Sequence, residues 1–168
     1  KYYLTILGVI LLTISSKISI PFYPVPMTLQ TLVVFFIAAS MGMIGFYSTF
    51  IYVVLGVLGL PLFANGGGIG YIFSPTFGFL YGMVISSFMI AYILKSEVNT
   101  GLIKLSATIL AGAFVIFLCG ISHLSFFVGI EQAINLGLLP FLYSEFLKIV
   151  LAIAIIFGLI QRVNQKNS

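Results

Sequence analysis

Long apolar segments follow one another along almost the whole sequence, and they leave little choice of fold. Hydrophobic residues make up 61% of the 168 residues, whereas charged residues make up 6%. So few charged residues cannot cover the surface of a water-soluble protein of this length. Lipid must therefore be the outer solvent. A spanning helix needs roughly 20 apolar residues to cross a hydrocarbon core of about 30 Å. This rule predicts six helices, at about residues 2–20, 28–44, 45–60, 75–94, 102–127 and 137–160.

The same segments lack the alternation of polar and apolar residues that a membrane β-barrel strand requires. The sequence therefore predicts an all-α integral membrane protein, with residues 1–168 forming a single six-helix bundle that passes repeatedly through the cell (inner) membrane. Basic residues concentrate on one side of this bundle, which places both termini in the cytoplasm by the positive-inside rule. They are Lys1, Lys95, Lys104, Arg162 and Lys166, whereas the opposite connections carry only Lys17 and the acid Glu131.

The three long connections all lie on the non-cytoplasmic side. Residues 21–31 contain three prolines, which forbid a continuing helix, and residues 61–76 contain a glycine stretch that tolerates unusual backbone conformations. Residues 129–141 are polar enough to form a short surface helix. Because binding residues concentrate on loops that a rigid scaffold positions, we expect the outer face to be the working face.

Glu145 and Lys148 lie three residues apart near the start of the last apolar segment. At about 100° per residue this spacing places both on one side of a helix, about 60° apart. Ionisable residues within a spanning segment are costly, so they usually face the protein interior or a water-filled cavity. Two interpretations follow: the residues form an ion pair that satisfies itself, or they flank a ligand. In the second, Lys148 attracts a carboxylate and Glu145 accepts N–H donors, as from a urea or amide.

Four further polar residues are candidates for the same site. Thr28 and Gln30 open the second predicted helix, where Thr28 alone is suited to capping the helix and Gln30 offers an amide. Asn65 precedes the glycine stretch, where it favours a left-handed turn but also offers an amide to a ligand carbonyl. Tyr71 has a flat apolar ring with a hydroxyl group, which suits the wall of a pocket.

Other functional classes find little support in the residues. The glycine stretch lacks the Lys-Ser or Lys-Thr pair of a phosphate-binding loop, and the thinly spread positive charge does not predict nucleic-acid binding. One histidine and one cysteine cannot form a metal site, and no cofactor is predicted. An intramembrane hydrolase would have to use Cys119 and His123, which share a helix face but lack a carboxylate to orient the histidine. Enzymatic activity is therefore not expected.

Three motifs in register resemble the BioY family, the biotin-specific S components of energy-coupling-factor (ECF) transporters. They are "YPVPMTLQTL", "GVLGLPLFANGGGIGYIFSPTFGFLYG" and "GLLPFLYSEFLK", and the similarity covers nearly the whole chain. The resemblance implies an S-component bundle that captures biotin from outside. It also implies partners, namely a transmembrane coupling subunit and two cytoplasmic ATPases.

The resemblance also implies roles for individual residues. The family's acid and lysine fall on Glu145 and Lys148, and its loop asparagine falls on Asn65. In this interpretation Glu145 accepts the ureido N–H of biotin, Asn65 meets the ureido carbonyl and Lys148 binds the carboxylate. The chain departs from the family in having Glu145 where aspartate is usual. The small-residue stripe usual on the first helix, where a coupling subunit docks, is a further departure: it is not clean, and Gly8 with Ser15 and Ser16 is its nearest equivalent.

Three rival functions remain open at this point. The nearest is an S component for another vitamin, such as thiamine or riboflavin. The second is the intramembrane hydrolase that would depend on His123, and the third is a scaffold that binds no ligand.

Overall fold

The computed structural model describes residues 2–95 and 100–167. Within these ranges the chain forms seven α-helices, one short 3₁₀ helix (Ile69–Phe73) and one two-stranded hairpin. The elements are, in chain order, α1 (Tyr2–Lys17), β1 (Ser19–Ile20), β2 (Met27–Thr28), α2 (Gln30–Met41), α3 (Met43–Val57), α4 (Phe77–Leu94), α5 (Leu102–Val128), α6 (Ile130–Gly137) and α7 (Leu139–Asn167). Of the bases used to predict orientation, Lys1 and the side chain of Lys166 lie outside the described part of the chain.

Three helices are long and apolar enough to cross a membrane, namely Phe77–Leu94, Leu102–Val128 and Leu139–Val163. The first three helices are apolar but shorter, with 16, 12 and 15 residues. A 12-residue helix spans only about 18 Å, which is less than the roughly 30 Å hydrocarbon core. The structure therefore supports a mostly helical membrane protein with these three long apolar helices.

The first two predicted helices are too long at the ends that meet the proline-rich connection. Residues 2–20 were predicted as helix, but α1 ends at Lys17 because Ser19–Ile20 pairs in antiparallel register with Met27–Thr28. For the same reason α2 begins at Gln30 instead of residue 28. Gly42, with φ of 57°, then separates α2 from α3, which spans Met43–Val57 instead of 45–60.

The last apolar segments also differ from the predicted boundaries. Gly129, with φ of 82°, ends α5, and the short α6 follows directly, in the connection where a surface helix was expected. The last helix begins at Leu139 rather than residue 137, with Pro140 in its first turn, where proline is tolerated. Similarly, α4 begins at Phe77 rather than residue 75.

Close helix contacts at glycines hold the bundle together, most extensively between α4 and α5. A Cβ atom added to Gly78 would lie 2.3 Å from His123 Cβ, and one added to Gly120 would lie 2.4 Å from the Phe79 ring. These helices thus approach at a distance that no larger residue permits. The fully buried core also draws on the other helices, through residues that include Leu12, Val34, Phe35, Ile37, Ala152 and Ile156.

The small residues of α1 face the interior of the bundle. A Cβ atom added to Gly8 would lie 2.4 Å from Ser48 Oγ on α3, and Ser15 and Ser16 are both buried. The stripe predicted as a docking surface therefore packs within the chain itself. The exposed side of α1 carries large apolar residues instead, including Tyr2, Tyr3, Ile6, Ile10 and Ile14.

Candidate functional site

A pocket lies where the β1–β2 hairpin, the start of α2, the glycine-containing connection, α4 and the start of α7 meet. Its empty space is about 490 Å³ when the open solvent at the mouth is included, and the cavity that a water-sized molecule can occupy is about 50 Å³. The lining is mainly apolar with a few polar groups. It consists of Val25, Pro26, Thr28, Gln30, Thr31, Phe63, Ala64, Tyr71, Thr76, Phe79, Leu80, Met83, Phe141, Glu145 and Lys148. Residues distant in sequence thus form one concave surface.

Glu145 and Lys148 form the polar centre of this pocket. They are only 5% and 6% exposed, and Lys148 Nζ donates to Glu145 Oε1 at 2.5 Å. The same ammonium donates to the carbonyl oxygen of Thr28 at 2.6 Å, while Thr31 Oγ1 donates to Glu145 Oε1 at 2.9 Å. The ion pair, which was one of the two interpretations of the spacing, is therefore present. Its contacts with Thr28 and Thr31 join α7 to β2 and to the start of α2.

This pair keeps hydrogen-bonding capacity that no other residue in the described ranges uses. Glu145 Oε2 is buried without a hydrogen-bond partner among the described residues. An ammonium has three N–H donors, of which Lys148 uses two on Thr28 and Glu145. Leaving a buried acceptor unpaired is unfavourable. Glu145 and Lys148 both line the pocket, and among the described residues they retain one unpaired acceptor and one further donor.

Gln30 and Thr28 form a bonded group beside this pair. Gln30 is 4% exposed, its Nε2 donates to the hydroxyl of Tyr52 at 2.8 Å, and its Oε1 accepts from Thr28 Oγ1 at 3.0 Å. Thr28 Oγ1 also accepts from the backbone N–H of Gln30 at 3.3 Å, but Leu29 occupies the N-cap of α2, so Thr28 does not take the expected capping position. Because both ends of the Gln30 amide have protein partners, this side chain forms a fixed part of the pocket wall.

The glycine-containing connection supplies the opposite wall. Tyr71 lies in the 3₁₀ helix and packs on Phe63, with ring centroids 4.7 Å apart. Asn65 is exposed on a tight turn closed by two backbone hydrogen bonds between Phe63 and Gly66. Its neighbours Phe63 and Ala64 line the pocket, but Asn65 is not among the lining residues. The structure thus brings five of the six predicted residues together and places Asn65 beside the site.

Sequence reasoning missed several residues of the wall. Thr31 bonds Glu145, and Phe63 is 1% exposed within the pocket wall, yet neither was singled out. A hydroxyl in the first turn of an otherwise apolar helix is the signal that identifies Thr31. An apolar residue in a loop carries no comparable signal, so Phe63 becomes visible only when the loop is folded.

Cys119 and His123 lie outside this pocket. His123 Nε2 donates to the carbonyl oxygen of Ser74 at 3.1 Å, and its ring lies against Phe77 and Tyr81. Across residues 2–95 and 100–167, no three histidine, cysteine or acidic side chains cluster as metal ligands would. The histidine therefore joins the loop before α4 to α5 and does not face a nucleophile in the site.

Comparison with known proteins gives a consistent result. The model of the BioY family matches residues 1–165. The chain is 37% identical over 145 residues to the biotin transporter BioY of Thermotoga maritima, covering 84% of this chain and 85% of the relative. It is 36% identical over 154 residues to the probable biotin transporter BioY of Pyrococcus horikoshii, covering 90% and 91%.

A solved structure shares the fold. It is a crystal structure of the S-component for biotin from an ECF-type ABC transporter, with a TM-score of 0.78 and 23% sequence identity. The alignment covers 94% of this chain and 86% of that chain. The family resemblance is confirmed: the chain is a membrane protein that belongs to the BioY family, a family of transporters and not of enzymes.

Proposed function

We propose that this protein is the biotin-binding S component of an ECF-type transporter. The observation that carries the proposal is the buried Glu145–Lys148 pair, which faces a pocket with an unused acceptor and an unused donor. The names of the relatives and of the structural neighbour agree with it. Biotin has a ureido group with N–H donors and a carbonyl on an apolar bicycle, and a carboxylate at the end of a flexible chain. Its apolar rings suit the mainly apolar lining, and its polar groups suit the pair.

The contact between Glu145 and Lys148 favours one orientation of the ligand. Their bonded atoms are 2.5 Å apart, so the two ends of an extended ligand cannot each take one residue unless the pair separates. A ureido group presents an N–H and a carbonyl oxygen on neighbouring atoms, which matches Glu145 Oε2 and the remaining N–H of Lys148. In this orientation the carboxylate points to the rim, where the Asn65 amide is suited to meet it. Thr28, Gln30 and Tyr71 then complete the wall around the rings.

The arrangement in the membrane belongs to the same proposal. We infer that the six longer helices, α1 to α5 and α7, form one domain that crosses or enters the cell (inner) membrane. Both termini then lie on the cytoplasmic side. The pocket then faces outward. The structural neighbour belongs to an ECF-type ABC transporter, and we infer that this chain works with a transmembrane coupling subunit and two ATPases. Reconstituted vesicles should take up labelled biotin only when these partners and ATP are present. Uptake without them would contradict the proposed need for partner subunits.

Binding of labelled biotin to the purified protein tests the function directly. We expect saturable biotin binding with no competition from thiamine or riboflavin. Lys148→Met should weaken binding by about 100-fold, because a charged hydrogen bond contributes about 1.5–3 kcal/mol and the mutation also leaves Glu145 buried without its partner. Arg162→Met is the matched control, since it removes an exposed cation from the same helix. Full affinity in Lys148→Met, or binding of thiamine or riboflavin instead, would overturn the assignment.

Competition by modified ligands tests the orientation. The carboxamide of biotin should compete within about tenfold of biotin, because the carboxylate lies at the rim, where an exposed ionic contact contributes at most about 1 kcal/mol. A ureido group methylated on both nitrogens should lose about 100-fold, because it cannot donate to Glu145 Oε2. The opposite ranking would place the carboxylate on Lys148.

A further inference from the structure

Two neighbouring carbonyl groups beside the pocket are held by side chains from α1 and α3. Ser16 Oγ donates to the carbonyl oxygen of Leu62 at 2.7 Å, and Tyr52 OH donates to the same oxygen at 3.0 Å. Lys17 Nζ donates to the carbonyl oxygen of Phe63 at 2.6 Å. The last turn of α1 therefore fixes the backbone of the glycine-containing connection at two consecutive residues.

This backbone carries one wall of the pocket. The Phe63 ring lines the pocket and fits over Gly56, where an added Cβ atom would lie 2.2 Å from Phe63 Cζ. It also packs against the rings of Tyr52 and Tyr71, at centroid distances of 5.5 and 4.7 Å. Because Gly56, Tyr52 and Tyr71 enclose the Phe63 ring, the ring moves together with its own backbone. A shift of the Leu62 and Phe63 carbonyl groups therefore moves the pocket wall that a ligand contacts.

The polar residues of the last two turns of α1 differ in what they bond. Thr13 and Ser15 donate only to carbonyls of their own helix, at Val9 and Leu12. Ser16 Oγ lies 2.7 Å from the carbonyl oxygen of Thr13 in its own helix and 2.7 Å from that of Leu62, 46 residues away in sequence, so its one proton is shared between the two. Ser16 and Lys17 thus make contacts that helix formation alone does not require.

We propose that Ser16 and Lys17 are positioning residues for ligand retention. Neither lines the pocket. They act through the Leu62 and Phe63 carbonyls, which keep the Phe63 ring in the wall and slow the departure of the ligand. Tyr52 extends the same connection to Gln30, so the two sides of the pocket share one hydrogen-bonded network. This inference rests on the proposed function of ligand capture.

Dissociation kinetics of labelled biotin test the proposal. Ser16→Ala and Lys17→Met should each raise the dissociation rate by about tenfold, as expected for one lost hydrogen bond, with the association rate nearly unchanged. Ser15→Ala is the matched control, because Ser15 is equally buried on the same turn and bonds only Leu12. Lys17→Arg keeps a cationic donor and should restore slow dissociation. A purely structural role would lower the unfolding temperature without changing dissociation from the folded protein.

A ligand-free measurement separates this proposal from the proposed function. In a Cys119→Ser background, a cysteine introduced by Ala64→Cys occupies a half-buried position in the same wall. Its maleimide labelling should be about tenfold faster when Ser16→Ala and Lys17→Met are added, and unchanged with Ser15→Ala. Unchanged labelling and dissociation in the Ser16→Ala, Lys17→Met protein would overturn the positioning role. If the wild-type protein binds no biotin but the cysteine variants show the expected labelling difference, only the proposed function would be overturned.

Discussion

Glu145 Oε2 in the pocket wall and Ser86 Oγ between α4 and α5 are both buried without a hydrogen-bond partner in the described part of the chain. Their surroundings differ. Glu145 lines the pocket, whereas a Cβ atom added to Gly112 would lie only 2.7 Å from Ser86 Oγ. Open space adjoins the Glu145 side chain, and α5 packs directly against Ser86. An unpaired buried oxygen therefore indicates a binding site only where empty space adjoins it.

The two regions also use different means to hold their helices together. At the pocket, hydrogen bonds from charged and hydroxyl groups join α7 to β2 and α2, as in the contacts from Lys148 to Thr28 and from Thr31 to Glu145. Between α4 and α5, glycines bring the helices close enough for direct packing. Stability and binding should thus respond separately to mutations in the two regions, and the following predictions test this separation.

The largest effect is expected from breaking the charged pair. Glu145→Ala leaves Lys148 charged and buried without its partner, so we expect a loss of about 3–5 kcal/mol in the free energy of unfolding and no measurable biotin binding. The double variant Glu145→Gln, Lys148→Met should recover most of the stability but not the binding. Thermal unfolding and labelled-biotin titration measure the two properties, with the exposed Glu131→Gln as control. A double variant that binds biotin normally would contradict the central role of the pair.

The next largest effect is expected in the α4–α5 interface. Gly78→Ala adds a Cβ atom 2.3 Å from His123 Cβ and 2.8 Å from the backbone oxygen of Cys119, so the helices must separate. We expect a loss of about 1–3 kcal/mol in unfolding free energy, with biotin affinity unchanged in the folded fraction. Gly158→Ala is the control, because a Cβ atom there meets no other atom within 4 Å. Equal stability of the two variants would show that the close approach is not required.

A smaller effect is expected from the hydroxyl that supports the acid. Thr31→Val removes the donor to Glu145 Oε1 while keeping the shape of the side chain, and it should weaken biotin binding by about tenfold. Thr108→Val is the matched control, since Thr108 is buried but donates only to Lys104 in its own helix. Isothermal titration would measure both variants. Normal affinity in Thr31→Val would mean that Lys148 alone holds Glu145 in place.

The smallest effect is expected at Ser86. Ser86→Ala removes a buried hydroxyl that has no partner within residues 2–95 and 100–167, so the free energy of unfolding should stay constant or rise by up to about 1 kcal/mol. Biotin binding should not change. Chemical denaturation and the titration described above check both statements. A clear loss of affinity would show that the α4–α5 interface communicates with the pocket, and the separation between the two regions would fail.

Local features of the sequence were sufficient to predict the general architecture. The scarcity of charge required a membrane protein, and the three prolines of residues 21–31 required a break between the first two helices. The spacing of Glu145 and Lys148 predicted a common helix face, because that geometry depends only on the helix repeat. The three motifs were specific enough to indicate the family, which the family model confirmed.

Other properties depended on contacts between segments far apart in sequence. Pairing of Ser19–Ile20 with Met27–Thr28 shortened α1 and α2, and packing against Ser48 turned Gly8 inward. The position of the Glu145–Lys148 pair depended on Thr28 and Thr31, which contact it from β2 and α2. Charge, chain stiffness and helical repeat act between near neighbours, so the sequence alone determined the membrane fold class. The unused oxygen of Glu145 and the hold of α1 on Phe63 required three-dimensional packing, because they depend on distances that no sequence spacing specifies.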